Sequence, residues 1–188
     1  EKFNSADLRV DVGFKYNPET GDYDHHQAGG AGKRPNGVEY AACGLIWKHF
    51  GQKLCTPEVF KTIDERFIQF IDAEDLGAVN YDEKIPPVTI AEIIKIFYPF
   101  LNQNNYDELF LQAVQFANVL FDRLLEHVKL EESAKKQVRD TLKKSKEYVV
   151  LEKYVPWKEV IVNESNALYV IYPSVDKIDW SVYCVPVK

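Results

Sequence analysis

From Asp107 onward the apolar residues Leu109, Ala113, Phe116, Leu120, Leu124 and Val128 recur every three or four positions. That spacing follows the 3.6-residue turn of an α-helix and does not fit the alternation of a strand. Ala134, Val138 and Leu142 resume the stripe after a more polar interval, so the pattern predicts two helices or one bent helix. The sequence beyond changes character. Tyr148-Val149-Val150-Leu151, Leu168-Tyr169-Val170-Ile171-Tyr172 and Trp180-Ser181-Val182-Tyr183-Cys184-Val185 are β-branched and aromatic runs separated by turn residues, which predicts an antiparallel β layer.

The opening half reads differently again. Asp7-Leu8-Arg9-Val10-Asp11-Val12-Gly13 is a short alternating strand that ends in an acid and a glycine. Asn17-Pro18-Glu19-Thr20-Gly21-Asp22 is a tight turn. Tyr40 to Phe50 reads as a helix stopped by Gly51. Thr56-Pro57-Glu58 starts another, with a capping residue before Pro. It should run to about Ile71, with Val59, Phe60, Ile63, Phe67, Phe70 and Ile71 on one face. After the Pro-rich Ile85-Pro86-Pro87, Thr89 caps an amphipathic helix from Ile90 to Phe97. The expected architecture is an α/β domain over residues 1–80, a mainly parallel sheet flanked by helices, then a smaller α+β domain over 81–188. The boundary is placed in residues 78–88.

Composition removes several classes of function. The 188 residues carry 23 Lys and Arg against 29 Asp and Glu, a net charge of −6, with 46% hydrophobic residues. Such a chain buries a core and is not disordered. Its acidity argues against a protein that coats nucleic acid, though not against a local basic groove. No run approaches the roughly 18–20 apolar residues that span a bilayer, so a soluble globular protein without membrane contact is expected. Cys43, Cys55 and Cys184 are odd in number without CxxC spacing, which speaks against a disulfide framework or structural zinc and for a reducing, intracellular setting. No Met occurs, even at position 1, so the sequence reads as a piece of a longer protein.

Four features can carry chemistry. Asp24-His25-His26 on extended backbone would send Asp24 and His26 one way and His25 the other, so that one imidazole meets a metal and the other a substrate or an orienting carboxylate. Imidazole with carboxylate suits Mn²⁺, Fe²⁺ or Zn²⁺, and all-oxygen surroundings favour Mg²⁺. A polar turn before a glycine-rich loop is the simpler reading of the tripeptide taken alone. Asp11 sits at the carboxyl end of a strand, where open α/β sheets place their ligands. Asp72 and Asp75, at i and i+3, share a helical face, and two carboxylates in one site call for a cation between them. The stretch Gly29 to Gly37 with Lys33 and Arg34 lets backbone N–H groups and a guanidinium approach an anion, or is a flexible surface loop. Cys43, among small residues, reads as core, and His49 and His127 as packed or surface residues. The cationic stripe Lys135, Lys136, Arg139, Lys143, Lys144 and Lys146 reads as a solvated helix face or a nucleic-acid contact.

Taken in order, several segments resemble one family. These are Val10-Asp11-Val12-Gly13, Asn17-Pro18-Glu19-Thr20, Tyr23-Asp24-His25-His26-Gln27, Gly29 to Arg34 with Asn36-Gly37, Cys43 to Gly51, and Asp72-Ala73-Glu74-Asp75-Leu76-Gly77. With Tyr154-Val155-Pro156-Trp157-Lys158-Glu159 and Trp180 to Val187, they are similar to the MYG1 proteins, also grouped as UPF0160, an offshoot of the DHH phosphoesterase superfamily.

The resemblance implies a DHH-phosphoesterase-like first domain and a metal-dependent phosphoester hydrolase. The activity would be of 3′-to-5′ exonuclease or phosphodiesterase type, with RNA, nucleotides or a small phosphodiester as substrate. It implies a divalent metal, Mn²⁺ first and Mg²⁺ second. Asp11, His25 and Asp72 or Asp75 would be metal ligands, with Asp24 orienting His25, His26 near the scissile phosphate, and Lys33 and Arg34 on its equatorial oxygens. It implies a bacterial cytoplasmic protein or a eukaryotic nuclear and mitochondrial one, and is compatible with a homo-oligomer. The sequence departs from the family in lacking the first metal motif ahead of Asp11, in lacking the extension after Val-Pro-Val, in having Gly13-Phe14 for Gly-Gly, and in having Asp75-Leu76-Gly77 for Asp-Asn-Gly. The competing reading is therefore a non-catalytic or truncated member that binds protein or RNA.

Overall fold

The computed structural model describes residues 6–81, 84–85, 87–99, 104–145, 147–174, 176 and 178–186. Pro86, Lys146 and Val187, which enter the readings above, lie outside them. The chain is mixed α/β and divides into two compact units, Glu1–Leu125 and Glu126–Lys188. The interval 78–88, expected to separate domains, falls inside the first unit. Among the described residues no helix is long and apolar enough to cross a membrane.

The first unit opens with strands β1 (Arg9–Val10), β2 (Tyr16–Asn17) and β3 (Asp22–Tyr23) in spatial order β1-β3-β2. β1 runs parallel to β3, and β2 antiparallel to it. The expected mainly parallel sheet is thus a small mixed one, and the turn explains why. Asn17-Pro18-Glu19-Thr20-Gly21 is too short for a crossover and folds β2 straight back onto β3. Asn17 caps the turn by accepting the Glu19 N–H, and Gly21 closes it at φ 73. The Arg9 guanidinium on the Asp22 carboxylate ties β1 to β3 and holds that carboxyl well below its usual range.

Helix α1 (Ala42–Phe50) follows the glycine-rich loop. Gly51 does not end it in the left-handed conformation, since its φ is −59. Glycine is required there because a Cβ would sit 2.6 Å from the Trp47 indole, which in turn stacks on Phe60 at 5.2 Å. Thr56 caps helix α2 (Pro57–Ile63) by accepting the Val59 N–H. A π-helical turn, Asp64–Ile68, then leads into α3 (Gln69–Asp75). A π-turn adds one residue to the helical count. The inward face that begins with Val59 and Ile63 therefore continues through Ile68 and Asp72, instead of the expected Phe67 and Ile71. Phe67 and Phe70 are left exposed. Helix α4 (Ile90–Lys95) starts at Thr89, which accepts the Glu92 N–H.

Of the two helices or one bent helix expected, the chain forms one continuous helix, α5 (Tyr106–Leu142). In the second unit its residues Ala134 and Val138 pack with Val149, Leu151, Val155, Trp157, Val160, Ile161 and Val170. There β4 (Tyr148–Val150) is parallel to β5 (Tyr169–Pro173), while β6 (Trp180–Cys184) is antiparallel to it. The layer is not wholly antiparallel because α6 (Lys158–Glu164), which the sequence reading missed, supplies the crossover a parallel pair needs. Three members of the cationic stripe are paired with acids. Lys135 is buried among Glu131, Glu132 and Glu159, Arg139 grips Glu164 with two nitrogens, and Lys143 pairs with Asp140.

Candidate metal centre

The strands end where the chemistry starts. Asp11 follows β1 with its N–H on the Tyr23 carbonyl at 3.0 Å and a φ of 59, a left-handed conformation that Asp tolerates better than most residues. Asp24 follows β3 and is 1% exposed. Its carboxylate accepts the Phe14 N–H at 2.6 Å and the His26 N–H at 3.1 Å. Burial alone would raise the carboxyl; the hydrogen bonds from the His26 ring and N–H and from Phe14 outweigh it and hold Asp24 below its ordinary range.

His26 Nδ1 lies 2.7 Å from Asp24 Oδ1. An ionised carboxylate only accepts, so Nδ1 carries the proton and Nε2 is left for a ligand. The Asp24 bond, with help from Asp11 and Asp75, raises the His26 pKa. Asp24 and His26 are joined as alternation predicts, but His25 does not turn away. The two imidazoles stack with centroids 4.1 Å apart, at a point where the pairing of β3 has already ended at Tyr23. His25 is buried and its Nδ1 accepts the Ala42 N–H at 3.2 Å.

Asp11 Oδ1 stands 3.4 Å from His25 Nδ1 and 3.6 Å from His26 Nδ1. On the other side Asp75 Oδ2 stands 3.7 Å from His25 Nε2. One ligand atom each from Asp11, Asp24, His25 and His26 falls within a 4.8 Å span. Segments after β1, after β3 and at the end of α3 thus converge on one place. Three carboxylates face two imidazoles, and among the described residues no Lys or Arg pairs with any of them. An excess of oxygen donors beside imidazole nitrogen is what a divalent cation takes up, so the residues fit the metal that the resemblance implies.

The other residues singled out from the sequence lie elsewhere. Asp72 is fully buried and accepts the Gly44 N–H at 2.8 Å. Burial raises its pKa although Arg34 and the Gly44 N–H oppose the shift. The Arg34 side chain is 2% exposed and lies 2.8 Å from Asp72. It holds both oxygens of Asp64, donates to the Glu39 carbonyl at 3.1 Å and covers the Tyr40 ring at 4.1 Å. Its nitrogens are occupied by the protein. Lys33 is exposed and pairs with Glu39 at 2.6 Å. Cys43 is not core: the residue is exposed, yet crowding around its sulfur and the carboxylates of Asp72 and Asp75 push the thiol up to about 12. His49 is packed, with Nε2 2.7 Å from the Tyr16 hydroxyl.

Sequence reasoning missed Asp64 and Gly44. Asp64 gave no signal, since a helical acid at a π-turn looks like any solvated one. Gly44 did give a signal, as a glycine inside a helix is there for a close approach.

The fold and the cluster define a mixed α/β protein with a carboxylate–imidazole site. The chain belongs to the MYG1 family, whose model, described as "Uncharacterised protein family (UPF0160)", matches residues 1–188. It is 29% identical to a mouse protein named MYG1 exonuclease, over 99% of this chain and 59% of the relative. The human protein of that name is also 29% identical, over 99% of this chain and 60% of its own length. A Chlamydia trachomatis MYG1 protein is 23% identical over 99% of this chain and 63% of the relative. The chain thus spans about three fifths of the length of the curated relatives it matches. No solved structure matches it.

Proposed function

We propose that this protein is a metal-dependent phosphoester hydrolase of the DHH type, acting on single-stranded nucleic acid in the manner of an exonuclease, with Mn²⁺ as the metal and RNA as the first substrate to test. The observation that supports this most is the convergence of Asp11, His25 and Asp75 from separate segments, with facing atoms 3.4 and 3.7 Å apart. The name exonuclease carried by the mouse and human relatives points the same way.

Asp11, His25 and Asp75 would supply ligands to the divalent metal, His25 through Nε2, since its Nδ1 accepts the Ala42 N–H. When bound, the metal supplies positive charge for phosphoryl oxygens and acidity for an attacking water. His26 is the proton carrier. Its Nδ1 is fixed by Asp24, so Nε2 is presented to a phosphoryl or leaving oxygen and donates there, with the imidazolium stabilised by the buried carboxylate. Asp24, Arg34 and Asp72 are positioning residues, because each is buried and already bound within the protein. Lys33, exposed and held by one surface carboxylate, can exchange that partner for phosphate.

The test is calorimetric titration with Mn²⁺, followed by assays on RNA, DNA and small phosphodiesters. Wild type should bind Mn²⁺ and release nucleotides, and His25→Ala should bind it more weakly. Equal Mn²⁺ affinity in the two proteins overturns the assignment.

A further inference from the structure

Phe14 stands at the rim of the cluster in a conformation that costs free energy for little packing in return. Its φ is 53, and a bulky side chain in the left-handed region is a true outlier. The residue is 74% exposed. Its backbone cannot relax, because the Phe14 N–H is bonded to Asp24 at 2.6 Å. The same buried carboxylate fixes the His26 ring, and the Phe14 and His26 rings meet edge-on at 6.0 Å. One carboxylate therefore sets an exposed aromatic face and a proton-carrying imidazole side by side. Glycine would adopt the same backbone without strain, so the ring is kept at a cost. Strained backbone that persists without local compensation gathers where a ligand uses it.

We propose that Phe14 is a stacking platform for the base of the nucleotide whose phosphate lies at Asp11, His25, His26 and Asp75. The spacing of the two rings is comparable with one sugar between a base and its phosphate. Stacking on an aromatic face tolerates any base and requires that base to be unstacked from its neighbours. Phe14 therefore selects single-stranded, base-bearing ends and does not discriminate among sequences. This rests on the hydrolase reading and adds a substrate contact to it.

The experiment compares wild type, Phe14→Gly and Phe14→Trp on a short oligoribonucleotide and on the same oligomer abasic at its 3′ end. KM and kcat are read in Mn²⁺, and thermal midpoints are measured alongside. Phe14→Gly should raise KM for the base-bearing oligomer by about 5- to 150-fold, the range of one lost base stack, and leave the abasic oligomer unchanged. Phe14→Trp should behave as wild type. The thermal midpoint of Phe14→Gly should rise, because glycine accepts the positive φ. Equal KM changes on both oligomers, or none on either, overturn the stacking role while hydrolysis itself stands. A lower midpoint in Phe14→Gly shows that the ring packs against protein, and also overturns it. Failure of wild type to cleave either oligomer removes the hydrolase reading and the platform with it.

Discussion

The Gly44 N–H donates to Oδ1 of Asp72 at 2.8 Å, and a Cβ at position 44 would lie 1.8 Å from Oδ2 of the same carboxylate and 2.7 Å from Arg34 Nη2. Neither neighbour has room to withdraw, since both are buried. Gly44→Ala should therefore lose at least about 2 kcal/mol, the scale of overpacking in a tight interior, despite alanine's better helix propensity. Urea unfolding reads this as a lower midpoint at unchanged slope. A midpoint equal to wild type would show that the Arg34–Asp72 pair can move.

Arg34 and a phosphate cannot both own the same guanidinium. Because its nitrogens serve Asp64, Asp72 and the Glu39 carbonyl, Arg34→Lys should destabilise by about 2–3 kcal/mol, the scale of lost hydrogen bonds to a charged group. Measured well below its unfolding midpoint, the variant should keep a wild-type KM for a small phosphodiester. A large rise in KM with unchanged stability would return Arg34 to the substrate.

His25 and His26 are neighbours with separable effects. His26→Ala should reduce turnover by about 10²–10³ and leave Mn²⁺ affinity nearly intact. His25→Ala should weaken Mn²⁺ binding itself. Calorimetry and single-turnover hydrolysis on the two variants separate these roles, and loss of Mn²⁺ affinity in His26→Ala would make both imidazoles ligands.

Acid should remove the stabilisation held in the Arg9–Asp22 pair. The folded carboxyl titrates below its unfolded value, through the Arg9 hydrogen bond and then that of Thr20. Its stabilisation is therefore present above the ordinary carboxylate range and is lost as the pH falls through that range toward the folded value. Urea midpoints taken from about pH 6 down to about pH 3 should fall for wild type and fall less for Asp22→Asn. Parallel curves would place the acid sensitivity elsewhere.

What was legible in the sequence was whatever depends on a few neighbouring residues. Thr56-Pro57 and Thr89 announce their helices because capping is local, and Asn17-Pro18 with Gly21 announces its turn for the same reason. Asp11, Asp24, His25 and His26 could be picked out as a group only through likeness to a family, since strand pairing brings them together. The phase of the second helix was not legible, because periodicity assumes 3.6 residues per turn and a π-turn leaves no mark in composition. That one-residue error put Phe67 and Ile71 inward where Ile68 and Asp72 lie, and it hid the difference between buried Asp72 and exposed Asp75. The α6 crossover was missed because its seven residues are too few to show a period.

The π-turn at Asp64–Ile68 absorbs one residue without turning the helix that follows. Ile63 and Ile68 face inward together although five positions separate them, where an ordinary helix would use four. Deleting one residue between Asp64 and Ile68 would therefore leave an ordinary helix with Asp72 still inward and Asp75 still toward its imidazole. Keeping every residue and tightening the turn to α-geometry would instead rotate all that follows by about 100°. In this segment the shape of one turn, and not the number of codons, aims the carboxylate.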